Sequence, residues 1–151
     1  MILASIQQAV QLIQATPGYA KTGVELAQMA SENRIRVNLD LDDRAHAGLM
    51  GAITLGPEAA NSSFLSLAQT LVHEHFHLQQ NPLLKTASFW SGVATRTAPM
   101  LRYEKPAYQA AFQFLEAVKK ARLALAEEAE SEQAAIRQVF FDGFGEDLIE
   151  A

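Results

Sequence analysis

Leu71-Val72-His73-Glu74-His75-Phe76-His77 places three of the chain's four histidines within five positions and fits the pattern H-E-x-x-H. The apolar residues Leu67, Leu71 and Val72 lead into it at helical spacing. On a helix, residues four apart lie one turn above each other on one face. His73 and His77 can therefore bring two imidazole nitrogens to about 2.0–2.1 Å from one zinc ion. Glu74 lies beside that face, where a carboxylate can take a proton from metal-activated water and pass it to a leaving amine. The clustering on one helix weighs against three unrelated histidines satisfied by backbone carbonyls and water.

Working outward, Asn61-Ser62 supply N-cap residues for this helix, and Asn81-Pro82 stop it after Gln80. Upstream, Arg34 to Leu41 alternates strictly, with Ile35, Val37, Leu39 and Leu41 on one side and Arg36, Asn38 and Asp40 on the other. That pattern predicts a strand with one buried and one wet face. Asp42-Asp43 marks a turn, and Leu49 to Leu55 reads as a second strand ended by Gly56-Pro57. Two helices precede the strands, from about Leu3 to Ala15 and from Thr22 to Glu32. Beyond the motif, Leu84 to Pro99 is a looser stretch containing the only tryptophan, Trp90. Tyr103 to Glu130 reads as one long helix, provided Pro106 falls in its first turn. A shorter helix near Glu132–Phe141 leads into an acidic tail. The expected fold class is α+β, mainly helical, with a small sheet preceding the motif helix.

With 151 residues the chain has room for one domain and not for a second. Hydrophobic residues make up 49% and charged residues 19%, a balance that forms a core rather than a disordered chain. A net charge of −5, with no basic run longer than Lys119-Lys120, argues against nucleic acid as a partner. No window approaches about 18 uninterrupted apolar residues, and the N-terminus lacks a basic region before an apolar run. A soluble, cytoplasmic protein with no membrane partner is the expectation. The absence of cysteine removes disulfides, a thiol nucleophile and thiolate metal sites, leaving His and carboxylate as the strong ligands.

A catalytic zinc needs a third protein ligand and one open position. Between His77 and Glu104 there is no His, Asp or Glu. The metzincin extension would place Gly and His where Gln80 and Leu83 stand, and the first downstream Asp is Asp142. Glu104 is the best-placed candidate, ahead of His46 and Glu116. It shares a helical face with Ala107, Tyr108, Ala111 and Leu115, whose mostly small residues permit close approach to the core.

His73-Glu74-His75-Phe76-His77 followed by Glu104-Lys105-Pro106-Ala107-Tyr108 resembles the pairing of HExxH with a downstream ExxA(Y) in gluzincin metallopeptidases, particularly the minimal single-domain ones. The resemblance covers about Arg34 to Leu115. It implies a single zincin-like domain over residues 1–151 and one zinc ion per chain held by His73, His77 and Glu104. It further implies that Glu74 is the general base and acid, that peptides or proteins are the substrates, and that an edge strand before the motif helix receives extended substrate. The competing expectation is a non-catalytic or latent protein that keeps the scaffold for regulation or interaction.

An oxyanion donor is not assigned; Tyr103, Tyr108, His75, His46 and Arg102 are the residues in range. His75 projects to another side of the helix from the two ligands. In the tail, Phe140, Phe141 and Phe144 read as packing onto the core, with Asp142, Glu146 and Asp147 in water. The sharper alternative is a tail that covers the cleft of a latent enzyme.

Overall fold

A computed structural model of the chain describes residues 2–42, 44–48, 51–80 and 98–149. Helix α1 (Ile2–Ala15) buries Ile6, Ala9, Val10 and Ile13, the stripe its periodicity dictates. It stops where the Thr16 hydroxyl turns back to donate to the Leu12 carbonyl at 2.6 Å and Pro17-Gly18 follows, Gly18 with φ of +88°. Helix α2 (Ala20–Ser31) returns along α1, with Gly23, Leu26 and Met29 buried.

The sheet is smaller than the alternation predicts, and it gains a strand. Strand β1 is Ile35–Val37, not Arg34 to Leu41. Asn38 Oδ1 accepts from the Asp40 backbone N–H at 3.0 Å, and this Asx turn takes the chain out of the sheet. Leu39 is consequently exposed rather than buried. Strand β2 (Ala45–Ala47) was not expected, because Ala-His-Ala carries almost no hydrophobic alternation. Strand β3 is Ile53–Leu55, the end of the segment expected from Leu49, and Leu49 and Met50 lie outside the described residues. The strand order is β1-β3-β2. β1 runs parallel to β3 with Ile35 opposite Ile53, and β2 runs antiparallel to it with His46 opposite Thr54. The Gly48 N–H donates to the Ala52 carbonyl at 2.8 Å, and Gly51 adopts φ of +80° to close the β2–β3 hairpin.

A single-turn helix, α3 (Pro57–Ala60), leads to α4 (Phe64–Gln79). The N-cap of α4 is Ser63, whose hydroxyl accepts from the Ser66 N–H at 3.2 Å. Asn61 and Ser62, the expected caps, instead finish α3 by donating to the Pro57 and Ala59 carbonyls, each at 2.7 Å. Helix α4 is buried along nearly its whole circumference, between α1, the sheet and α5. Arg44, at the start of β2, fastens that strand to α4 by donating to Thr70 Oγ1 at 2.9 Å and Ser66 Oγ at 2.5 Å.

Helix α5 (Ala98–Ala121) starts earlier than expected, so Pro106 sits in its interior and Glu104 beyond its first turn. Pro106 deprives the Arg102 carbonyl of its N–H partner, and Arg102 is exposed, where water can replace it. The predicted continuation to Glu130 does not occur. Arg122 is extended, Leu123–Leu125 form a 3-10 turn, and α6 (Ala126–Phe144) folds back on α5. Ala, Leu and Glu favour continuation locally, but a straight helix would leave Ala129, Ile136 and Phe140 without the α5 surface that buries them. Gly145, with φ of +74°, caps α6 by donating to the Phe141 carbonyl at 2.8 Å.

The structure is α+β, mainly helical, with one three-stranded sheet. Among the described residues no helix is long and apolar enough to cross a membrane. The stretch from Leu84 to Pro99 falls almost wholly outside the described residues.

The α1–α2 contact gives a test of sign. Alanine in place of a helical glycine ordinarily stabilises by about 1 kcal/mol. A Cβ at Gly23, however, would lie 2.6 Å from the backbone nitrogen of Gln14 and 2.7 Å from its Cα. Gly23→Ala is expected to destabilise by about 1–3 kcal/mol in urea unfolding; an unchanged or raised midpoint would show that the two helices are not packed this closely.

Candidate metal centre

The site is assembled from α4 and α5. One turn of α4 stacks His73 and His77, and their Nε2 atoms lie 3.2 Å apart. The crossing of α5 over α4 is close because Ala107 and Ala111, fully buried, put no bulk between the helices. It brings Glu104 Oε1 to 3.4 Å from His73 Nε2 and into direct contact with His77 Nε2. The three ligand atoms lie within 4.8 Å of one another, an arrangement that can hold a metal ion. Glu104 Oε1 is buried and makes no hydrogen bond.

Glu74 is buried beside the cluster, its Oε2 3.9 Å from His73 Nε2. Burial pushes its carboxyl group above the usual range despite the neighbouring His73 and His77. For Glu104, burial acts in the same direction, but contacts with His73 and His77 outweigh it and hold the carboxyl well below the usual range. Burial opposes the charged form of His73, yet Glu104 and Glu74 overcome it and raise the imidazole's affinity for a proton. The shifts of Glu104 and His73 thus come from their contact with each other, and that of Glu74 from burial.

Aromatic rings hold both imidazoles in place. Tyr103 stacks on His77 with centroids 4.0 Å apart and planes 14° apart. Tyr108 meets His73 edge-on at 4.5 Å and is itself packed against Phe140 at 5.5 Å. Burial, and then Glu74 and Glu104, raise the Tyr103 phenol far above its ordinary value, so it stays protonated.

The remaining sequence candidates separate. His75 faces away from the ligands, 3.2 Å from Glu25 Oε2, beside an open cavity of about 350 Å³ bordered also by Arg34 and Leu78. Arg102 is exposed. His46 is exposed on β2, near enough for its charge to act on Glu74. Glu116 is engaged by Lys119 at 3.1 Å and by Gln133, away from the cluster. Gln80 was not recognised as part of the site. Its position three residues after His77, at the C-cap of α4, is the one sequence signal that it can reach back. Its Oε1 lies 2.6 Å from His77 Nδ1, and its Nε2 donates to the Tyr103 carbonyl at 2.7 Å.

In the tail, Phe140 and Leu148 are fully buried, Phe144 is partly buried and Phe141 is exposed. Glu146 pairs with Lys105 at 2.7 Å, and the Leu148 carbonyl accepts from Gln109 at 3.3 Å. No tail carboxylate belongs to a metal-ligating group among the described residues.

The fold and site thus define an α+β chain with a partly buried His-His-Glu group that could hold a metal ion. Comparison with protein-family models, with curated proteins and with solved structures gives no match.

The tail packing is open to direct measurement. Leu148→Ala is expected to cost about 2–4 kcal/mol of unfolding free energy, the range for a fully buried leucine. A loss below about 0.5 kcal/mol, the scale of a surface substitution, would mean that the tail is not anchored to α5.

Proposed function

We propose that this chain is a zinc-dependent metallopeptidase of the minimal gluzincin kind, built on a single zincin-like domain. The observation that carries the proposal is the convergence of Glu104 on His73 and His77, with Glu74 beside them. No feature of local sequence requires a glutamate in the second turn of α5 to meet two histidines of α4. The fit to a metal rests on the donor set and on the buried Glu104 Oε1, which has no hydrogen bond to satisfy it. Two imidazole nitrogens and a carboxylate oxygen suit zinc at a site with one position left open.

His73, His77 and Glu104 would hold the ion. When bound, zinc supplies Lewis-acid polarisation of a peptide carbonyl and activation of a water molecule. Glu74 takes the proton as the water oxygen bonds to the carbonyl carbon, and returns it to the amine nitrogen as the C–N bond breaks. Its burial suits this, since a carboxylate kept from bulk water competes better for a proton. Tyr103 and Tyr108 keep the two imidazoles from rotating. β2, an antiparallel edge strand packed beside α4, supports a substrate that lies extended along the sheet edge.

Two substitutions test the parts separately. In protein purified without an affinity tag, mass spectrometry is expected to find one zinc per chain. Glu104→Ala should weaken its retention against a chelator by more than about 100-fold, beyond the cost of losing an outer-shell partner. Retention equal to wild type would remove Glu104 from the ligand set. Glu74→Gln should keep both fold and zinc but lower cleavage of unfolded proteins or a peptide library by about 10²–10⁴-fold. Turnover equal to wild type would remove Glu74 from the mechanism, and zinc without any turnover in the wild type would favour a non-catalytic scaffold.

A further inference from the structure

Gln80 joins the two halves of the ligand set. Its side chain spans from His77 on α4 to the backbone of Tyr103, the residue before Glu104 on α5. The direction of the bonds follows from donor chemistry. A backbone carbonyl only accepts, so the group 2.7 Å from the Tyr103 oxygen must be the amide NH2 of Gln80. The atom facing His77 is then the amide oxygen, which also only accepts. His77 Nδ1, 2.6 Å away, must therefore carry a hydrogen and donate it.

In a neutral imidazole the hydrogen on Nδ1 leaves Nε2 with its lone pair. That Nε2 is the atom directed at His73 Nε2 and Glu104 Oε1. We infer that Gln80 is a positioning residue: it selects the metal-ligating tautomer of His77 and ties that ring to the α5 backbone beside Glu104. The inference rests on the metal-site reading given above. Tyr103 stacking fixes the plane of the His77 ring but not which nitrogen bears the hydrogen. The Tyr103 ring and the Gln80 amide therefore do different work. A side chain that merely capped α4 would need neither bond, because the backbone N–H of Gln80 already donates to the His77 carbonyl at 3.2 Å.

The test compares Gln80→Leu, which removes both bonds, with Gln80→Glu, which keeps an acceptor for His77 Nδ1 and loses the donor to Tyr103. In metal-free protein, at a pH where the rings are neutral, imidazole 15N shifts should show His77 protonated on Nδ1 in the wild type and in Gln80→Glu. Gln80→Leu should give a mixture of tautomers. Zinc retention against a chelator should fall about 10–100-fold in Gln80→Leu, and Gln80→Glu should recover part of it. Tautomer and retention both unchanged in a folded Gln80→Leu protein would overturn the assignment. A wild type that binds no zinc would overturn the metal reading instead, and the 15N shifts would still decide whether Gln80 sets the His77 tautomer.

Discussion

A carboxylate oxygen lodged between two imidazole nitrogens, inside a helical core and without a hydrogen bond, is stable only in the company of positive charge. A proton on an imidazole or a metal ion between the three groups can provide it. The behaviour of the neighbouring groups follows: Glu104 is driven strongly toward its ionised form, and His73 binds a proton more readily despite its burial. The rest of the structure serves to make this crowding possible. Small residues on α5 let the helices approach, and α6 and the tail hold α5 down on α4.

The same constraint explains why α4 occupies the centre. A helix at the surface would leave its histidines to water, where ligand geometry is lost to side-chain motion. Here α1 and the sheet cover one side and α5 the other, so that even Ser66, Gln69 and Thr70 are buried. Their polar groups are partly answered by Arg44, which reaches in from β2. Satisfying buried hydroxyls thereby also fixes the strand next to the proposed site, joining stability of the core to the shape of that sheet edge.

The aromatic shell links the His-His-Glu group to the far end of the chain. His73 packs on Tyr108, Tyr108 on Phe140, and Phe140 on Phe144 at 4.9 Å, where α6 ends. Phe140 and Phe144, unlike the exposed Phe141, are thus part of the support for α5, which carries Glu104. Under the proposed function, this packing keeps α5 in register with α4, since a small displacement of Glu104 would open the ligand set.

His73, Glu74 and His77 were legible because one helical turn is enough to juxtapose residues four apart, whatever the rest of the fold does. Glu104 was legible as the best-placed candidate, the first His, Asp or Glu after His77, with His46 and Glu116 left open until packing separated them. The main helices were legible from apolar periodicity. Tertiary structure decided the rest. β2 has too little hydrophobic contrast to declare itself and exists because Arg44 and the β3 edge hold it. The chain turns back at Arg122 because folding α6 onto α5 buries more apolar surface than a continuous helix could. Gln80 became part of the site only when the crossing of α4 and α5 brought the Tyr103 carbonyl within reach of its amide. Local spacing sets which residues share a face; which faces meet depends on packing among elements distant in sequence.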